Sequence, residues 1–441
     1  MIQGQQRAIV SNDWKWFQLS NLLEFVIGGD WGKDENFDDK NYDLAYCIRG
    51  SEIRNWQSDK GVTASLRKIK LSNLEKRKLQ EGDILLEISG GGPDQPVGRT
   101  VLIDKQVLSF KPSVPKICTN FLRLLRPLKS INPKYLNNYL QFFYNSGEIV
   151  GYQAGSNNLR NLKYPDYAKI KIPVPPREIQ NSIVSKIEEL FSELDKGIEN
   201  LKLAQQQLKV YRQSVLKWAF EGRLTNENVK EGELPEGWKL ETLGTYITDI
   251  SAGKSIRCDE RPPKTNEFGI VKVSAVSWGL FDESESKTCL SQKNYNKDYI
   301  IKSGDFLFSR ANTIELVGAC VIVGHTNGNL MLSDKILRFQ FNIQISNEYV
   351  LYYLRSKQGR KQIESLSTGN QESMRNIGQA KIKMINIPYC KLKEQLEIVN
   401  EINDRFSIID KMEESINQSL QQAEMMRQSI LKKAFEGQLI N

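Results

Sequence analysis

One long stretch of this chain occurs twice. Residues Ile172 to Leu224 and Ile387 to Leu439 align at a constant offset of 215 positions without a gap, and roughly 23 of the 53 aligned positions are identical. A repeat of that length sets the architecture before any local propensity is weighed. The shared landmarks are Ile172-Pro173 with Ile387-Pro388, Gln180 with Gln395, and Phe191-Ser192 with Phe406-Ser407. Arg212-Gln213-Ser214 returns as Arg427-Gln428-Ser429, and Ala219-Phe220-Glu221-Gly222 as Ala434-Phe435-Glu436-Gly437. The chain is an internal duplication.

Each copy predicts one long helix. Apolar residues recur in steps of mostly three and four, from Ile179 through Ile183, Ile187, Leu190, Leu194, Ile198, Leu201 and Leu208 to Val215. The second copy runs through Leu396, Val399, Ile402, Phe406, Ile409, Ile416, Leu420 and Ile430. Such spacing makes a stripe along one face, with Lys, Glu and Gln on the others. Proline precedes each stretch (Pro175-Pro176, Pro388) and glycine ends it (Gly222, Gly437), as helix boundaries prefer. About 46 residues give a rod of roughly 70 Å. A narrow stripe on so long a rod is expected to be buried against the other rod, in an antiparallel coiled coil. The packing residues are then Ile183, Ile187, Leu194, Leu201 and Leu208 facing Val399, Ile402, Phe406, Ile409, Ile416 and Ile430.

The segments before the rods repeat more weakly. Trp14-Lys15 and Gly29 align with Trp238-Lys239 and Gly253, and Gly82-Asp83 with Gly304-Asp305. Arg160-Asn161-Leu162 aligns with Arg375-Asn376-Ile377. Short β-rich runs, glycine turns and one helical stretch in each half predict a mixed α/β globule. The expected order is a first globule over 1–175, a rod over 176–225, linker and second globule over 226–390, and a second rod over 391–441. The fold class is mixed α/β with a pseudo-twofold duplication.

An apolar fraction of 39% is enough for real cores. With 61 Lys+Arg against 53 Asp+Glu, the net charge of +8 suits a polyanionic partner without requiring one. No apolar run is long enough to span a membrane, and the amino terminus lacks a signal-peptide core, so a cytoplasmic protein is expected. Six scattered cysteines without a CxxC pair read as reduced thiols, and neither a disulfide frame nor a metal site is expected.

Catalytic motifs fare poorly. Gly253-Lys254-Ser255 lacks the upstream glycine of a phosphate-binding loop, since Thr248 stands there. Pro93-Asp94 opens like a nuclease motif but no acidic-x-Lys partner follows, and Asn132-Pro133-Lys134-Tyr135 has lysine where an amino-methyltransferase motif has its second proline. The one histidine, His325, has no partner for acid–base work. No catalytic residue is assigned.

In IPVPPREIQ, the helix ending LKWAFEGRLT, the connector LPEGWK, the terminal LKKAFEGQL, and the pair GDILLEISGGG and GDFLFSRANT, the chain resembles the specificity subunit of type I restriction–modification systems. The resemblance extends over essentially the whole chain. It implies two target recognition domains separated by two antiparallel helices, each domain reading one half of a bipartite site in double-stranded DNA. It further implies that the helices space the domains and dock two methyltransferase (modification) subunits, and that restriction subunits join the larger complex. S-adenosylmethionine, ATP and Mg are expected on those partners, and this chain carries no cofactor. An alternative arrangement places the modification and restriction functions on one fused polypeptide. The competing class is a coiled-coil adaptor that binds proteins and no DNA.

A quasi-twofold particle suits a duplex, which is locally twofold as well. The rod caps the separation of half-sites near ~20 base pairs, and two major grooves on one face lie roughly 34–36 Å apart. Half-sites about one turn apart are therefore expected, with unread base pairs between. Arg and Lys pair with guanine, and Asn and Gln with adenine, in the major groove. The candidate readers are Ser89, Gln95 and Arg99 with Asn158 and Arg160 in the first half. In the second half they are Arg310, Asn312 and Thr313 with Gln371 and Arg375. Lys111, Lys116, Lys335 and Arg338 are expected at phosphates. Any one of these loops alone is an ordinary surface turn; their recurrence in both halves singles them out.

Overall fold

The computed structural model describes residues 14–92, 95–155, 159–226, 228–230, 232–277 and 279–440. The chain forms two compact units, one of Met1–Leu201 with Gln418–Asn441 and one of Lys202–Asn417. The boundary cuts through both long helices, Arg177–Phe220 and Leu392–Phe435, each 44 residues long. Each unit thus joins one globule to part of one helix and part of the other. Among the described residues no helix is long and apolar enough to cross a membrane.

Both helices stop in the same way. Gly222 (φ 75°) and Gly437 (φ 72°) take the left-handed conformation. Arg223 N–H then reaches back to the Trp218 carbonyl, and Gln438 N–H to that of Lys433, at 2.8 Å each. This is the glycine-terminated cap that satisfies the last carbonyls.

Within each unit the helices run antiparallel and are clasped identically. In the first, Arg427 pairs with Asp195 and lies over the Phe191 ring at 5.0 Å. In the second, Arg212 pairs with Asp410 at 2.6 Å and lies over Phe406 at 4.7 Å, while Gln205 bonds Asn417 at 2.8 Å. As one partner's number rises the other's falls by the same step. The repeated Phe-Ser and Arg-Gln-Ser signatures are therefore the two halves of one clasp.

The ends of the helices, however, bury against globules. Ile183 and Ile187 join Ile430, Leu431, Ala434 and Phe435 in the first unit's core. Val215, Leu216, Ala219 and Phe220 join Ile398, Val399 and Ile402 in the second's. Ile409 is buried, while Leu194, Leu201, Leu208, Phe406 and Ile416 are half-buried, as two helices without a third neighbour leave them. Ile179 and Leu396, expected in the stripe, are exposed, because the first turn of each helix turns its polar Gln180 or Gln395 inward instead.

Those two glutamines are buried and do the same job. Gln180 accepts from Asn132 N–H at 2.8 Å and donates to the Pro175 carbonyl at 2.9 Å. Gln395 accepts from Ser346 N–H at 2.9 Å and donates to the Cys390 carbonyl at 2.8 Å. Asn132 and Ser346 are N-caps of the helices Pro133–Asn145 and Asn347–Arg355, so each glutamine ties a long helix to its globule's helix. The Asn-Pro-Lys-Tyr stretch is thereby explained as a helix start, with Pro133 in the first turn. Gln395→Leu leaves a buried N–H and carbonyls unpaired and is expected to destabilise the second unit by about 1–3 kcal/mol. Hydrogen exchange would show the loss at the start of Leu392–Phe435, with the first unit unchanged.

Each globule is built on a four-stranded antiparallel sheet. Its order is Leu23–Gly28, Leu122–Pro127, Ile84–Glu87, Thr100–Leu102 in one, and Ile247–Ala252, Ile336–Phe341, Phe306–Ser309, Cys320–Ile322 in the other. The repeated aspartates bracket these sheets: Asp83 accepts from Arg126 at 2.7 and 2.9 Å, and Asp305 from Arg338 at 3.2 Å. Gly29 and Gly253 mark close backbone approach, since a Cβ would lie 2.1 Å from the Cys118 carbonyl oxygen and 1.7 Å from that of Leu332. Gly253 is thus a packing glycine. All six cysteines are free thiols.

Candidate nucleic-acid interface

The loops singled out separately in each half meet in the fold. Gln153–Ala154, Arg160–Leu162 and Ser89–Gly90 form a three-stranded sheet in the first unit. Thr368–Gln371, Met374–Asn376 and Ala311–Asn312 form its counterpart in the second. Arg160 lies opposite Gly90, and Arg375 opposite Asn312. Leu162 N–H donates to Ile88, and Ile377 N–H to Arg310, at 2.9 Å each, so Ile88 and Arg310 hold the same place on two scaffolds. Gly155 (φ 151°) and Gly369 (φ 144°) shape both hairpins, as a Cβ would lie 2.4 Å from the Leu159 carbonyl oxygen or 2.3 Å from that of Met374.

Several arginines in these loops are held by the loops themselves. Arg160 donates to the Gly92 carbonyl at 2.9 Å. Arg375 donates to the carbonyls of Gly369 at 2.9 Å and Ser367 at 2.7 Å, and to Ser367 Oγ at 3.1 Å. Arg99 forms a two-pronged pair with Glu87, Nε to Oε2 at 2.8 Å and Nη2 to Oε1 at 2.6 Å, and these bonds raise its pKa further. Asn312 Oδ1 accepts from Thr313 N–H at 2.9 Å. Ser89, Gln95, Arg310, Asn312 and Thr313 are half-buried, whereas Lys335 and Gln371 are exposed. Asn158, like Pro93-Asp94, lies outside the described residues.

The expected phosphate contacts divide. Lys335 faces solvent beside Arg310, whose N–H bonds the Lys335 carbonyl at 3.0 Å. Lys111 is exposed but donates to the Tyr46 hydroxyl at 2.8 Å. Arg338 turns inward, donating to the carbonyls of Ile300 at 2.9 Å and Asp298 at 2.6 Å as well as to Asp305. Lys116 is buried, with its ammonium on the Phe110 carbonyl and its pKa lowered by burial. A side chain so enclosed is not presented to a phosphate. His325 is exposed in a loop.

A cavity of about 680 Å³ opens at this sheet in the first unit, lined by Ser89, Gln95 and Arg99 and also by Trp31, Arg49, Arg54 and Phe121. The last four were not legible as site residues. Arg49 and Arg54 follow the strand Tyr42–Ile48, buried from Ala45 onward, and nothing in their spacing marks a loop that returns to Ser89. The one local hint is Glu52, three residues after Arg49, which bonds it.

A family model for the type I restriction modification DNA specificity domain matches residues 11–203 and again 235–422. The chain belongs to this family, whose name is that of a specificity subunit rather than a catalytic one. It is 27% identical over 437 residues to the type I restriction enzyme StySPI specificity subunit of Salmonella potsdam, covering 98% of this chain and 90% of that one. It is 26% identical over 432 residues to the EcoKI specificity subunit of Escherichia coli K12, covering 97% and 89%. A solved chain from work on complex assembly and conformational transition of the type I R-M system superposes with a TM-score of 0.70 at 16% identity, covering 97% of this chain and 99% of that one. The HsdS subunit from Thermoanaerobacter tengcongensis superposes at 0.57 and 17% identity, covering 97% and 98%. At such identities the structural likeness speaks for the fold.

Proposed function

We propose that this chain is the DNA sequence-specificity subunit of a type I restriction–modification complex. Each globule reads one half of a bipartite target. The helices dock two modification subunits, and restriction subunits complete the assembly. The chain itself performs no catalysis; S-adenosylmethionine, ATP and Mg belong to its partners, and it works in the cytoplasm. The observation that carries this reading is one scaffold used twice, with the clasp, caps and glutamine ties kept and the loop chemistry changed. Ile88 and Phe121 in one unit stand where Arg310 and Lys335 stand in the other. Kept supports with altered loops fit one ruler carrying two different readers.

Sequencing of methylated DNA from cells carrying the chain and its modification partners is expected to return one two-part motif with unread positions between. Purified complex is expected to bind that duplex with an affinity that falls on the order of 10³-fold between 50 and 200 mM salt, as several neutralised phosphates require. Absence of any salt-dependent affinity for duplex DNA would instead identify a protein-only adaptor.

A further inference from the structure

The cavity of the first unit holds two arginine–carboxylate pairs, and one of them has no counterpart in the second unit. Three arginines line the cavity, and two of them are each gripped by a carboxylate that is itself buried. Arg99 is held by Glu87, whose side chain is 3% exposed, and Arg49 by Glu52, at 1%. In both pairs the carboxylate occupies Nε and Nη2 of the guanidinium. The two are neighbours, since Arg99 Nη2 also reaches the carbonyl of Gly50 at 3.3 Å. Trp31 and Phe121, partly exposed, share the cavity wall.

The fold does not need the Arg99–Glu87 pair. Glu87 N–H donates to the Arg99 carbonyl at 2.9 Å, and Ser309 N–H donates to the Ala319 carbonyl at 2.8 Å. Ser309 and Ala319 therefore occupy the places of Glu87 and Arg99 on the same sheet, both buried, with no ion pair between them. A buried ion pair is at best a weak source of stability, because desolvation offsets most of the attraction. Its presence in one copy only puts it among the features that distinguish the two readers.

We propose that Arg99, with Arg49 beside it, reads guanine in the half-site of the first globule. This rests on the reading of the chain as a DNA specificity subunit. The carboxylate takes Nε and Nη2 of each guanidinium and fixes its plane; Nη2 also reaches a backbone carbonyl, Gly50 from Arg99 at 3.3 Å and Thr63 from Arg49 at 3.2 Å, which leaves Nη1 to donate to a ligand. Guanine O6 and N7 are two adjacent acceptors for the N–H groups of Nη1, while the other bases place an amino or methyl group there. Gripping from behind by a carboxylate also removes the rotational freedom a long side chain would otherwise lose on binding.

The test is the methylation motif of full-length variants assembled with their modification subunits. Glu87→Ser with Arg99→Ala places in the first unit the pair that the second already carries. Arg99→Met keeps the length of the side chain and removes every donor. Both are expected to lose preference for guanine at one position of one half, roughly 5- to 150-fold, with the other half and the spacing unchanged. Arg310→Ala is expected to alter only the other half. If either Arg99 variant retains the guanine preference, the inference is overturned. If the unaltered complex yields no two-part motif, it is the reading of the whole chain that fails, a separate result.

Discussion

Phe435→Ala loosens the first globule and Phe220→Ala the second, each by about 3–5 kcal/mol, the usual cost of emptying a buried phenylalanine site. The assignment is crossed relative to chain order. Phe220 ends the helix that follows the first globule in sequence, yet it packs edge-on against Tyr349 and Tyr353 of the second unit at 5.1 and 5.0 Å. Phe435, near the carboxyl end, packs edge-on against Tyr135 and Tyr139 of the first at 5.3 and 5.0 Å. Both phenylalanines are almost wholly buried. Hydrogen exchange on each variant reads the result directly. Loss of protection in the globule that precedes each helix, the first for Phe220→Ala or the second for Phe435→Ala, would contradict the packing described.

A fragment ending at Thr225 is expected to be a dimer. It lacks Ile430, Leu431, Ala434 and Phe435, so the first unit's core stands open on one side. It retains Val215, Leu216, Ala219 and Phe220, the repeat of those residues. A second copy can therefore fill the site with its own helix end, and the Arg212 of one copy can meet the Asp195 of the other. Stability that rises with protein concentration follows from mass action, and such a dimer reads a symmetric site. Analytical ultracentrifugation decides: a fragment that stays monomeric and fully folded at high concentration would show that the helix end is dispensable.

These outcomes depend on residues whose importance was visible early and whose role was not. The Phe-Ser, Arg-Gln-Ser and Ala-Phe-Glu-Gly signatures stood out because they recur, and periodicity placed them on long helices. That Arg212 meets Asp410, or that Phe220 leaves its own globule for Tyr349, depends on contacts between positions some 130 to 200 residues apart. The candidate site divides in the same way. Ser89, Arg99 and Arg160 were legible as loop residues; the small sheet pairs the strands of Ser89 and Arg160, and the cavity brings Arg99 beside Ser89. Arg49 and Trp31 were not, because they lie just beyond the strands Tyr42–Ile48 and Leu23–Gly28 and nothing in their spacing marks a loop that returns to Ser89. Lys116 illustrates the reverse error, since a charged residue in a turn-rich stretch reads as surface until its strand is found packed beneath it.

By itself the amino-acid sequence determined the duplication, the two long helices, their glycine stops and the mixed character of the globules. All of these follow from periodicity and local backbone preference, which operate over a few residues. Tertiary structure alone decided which helix end closes which core, which arginines are gripped by carboxylates, and which lysine is enclosed. Those outcomes turn on burial and on partners distant in sequence, and the free energy of a charge depends on both.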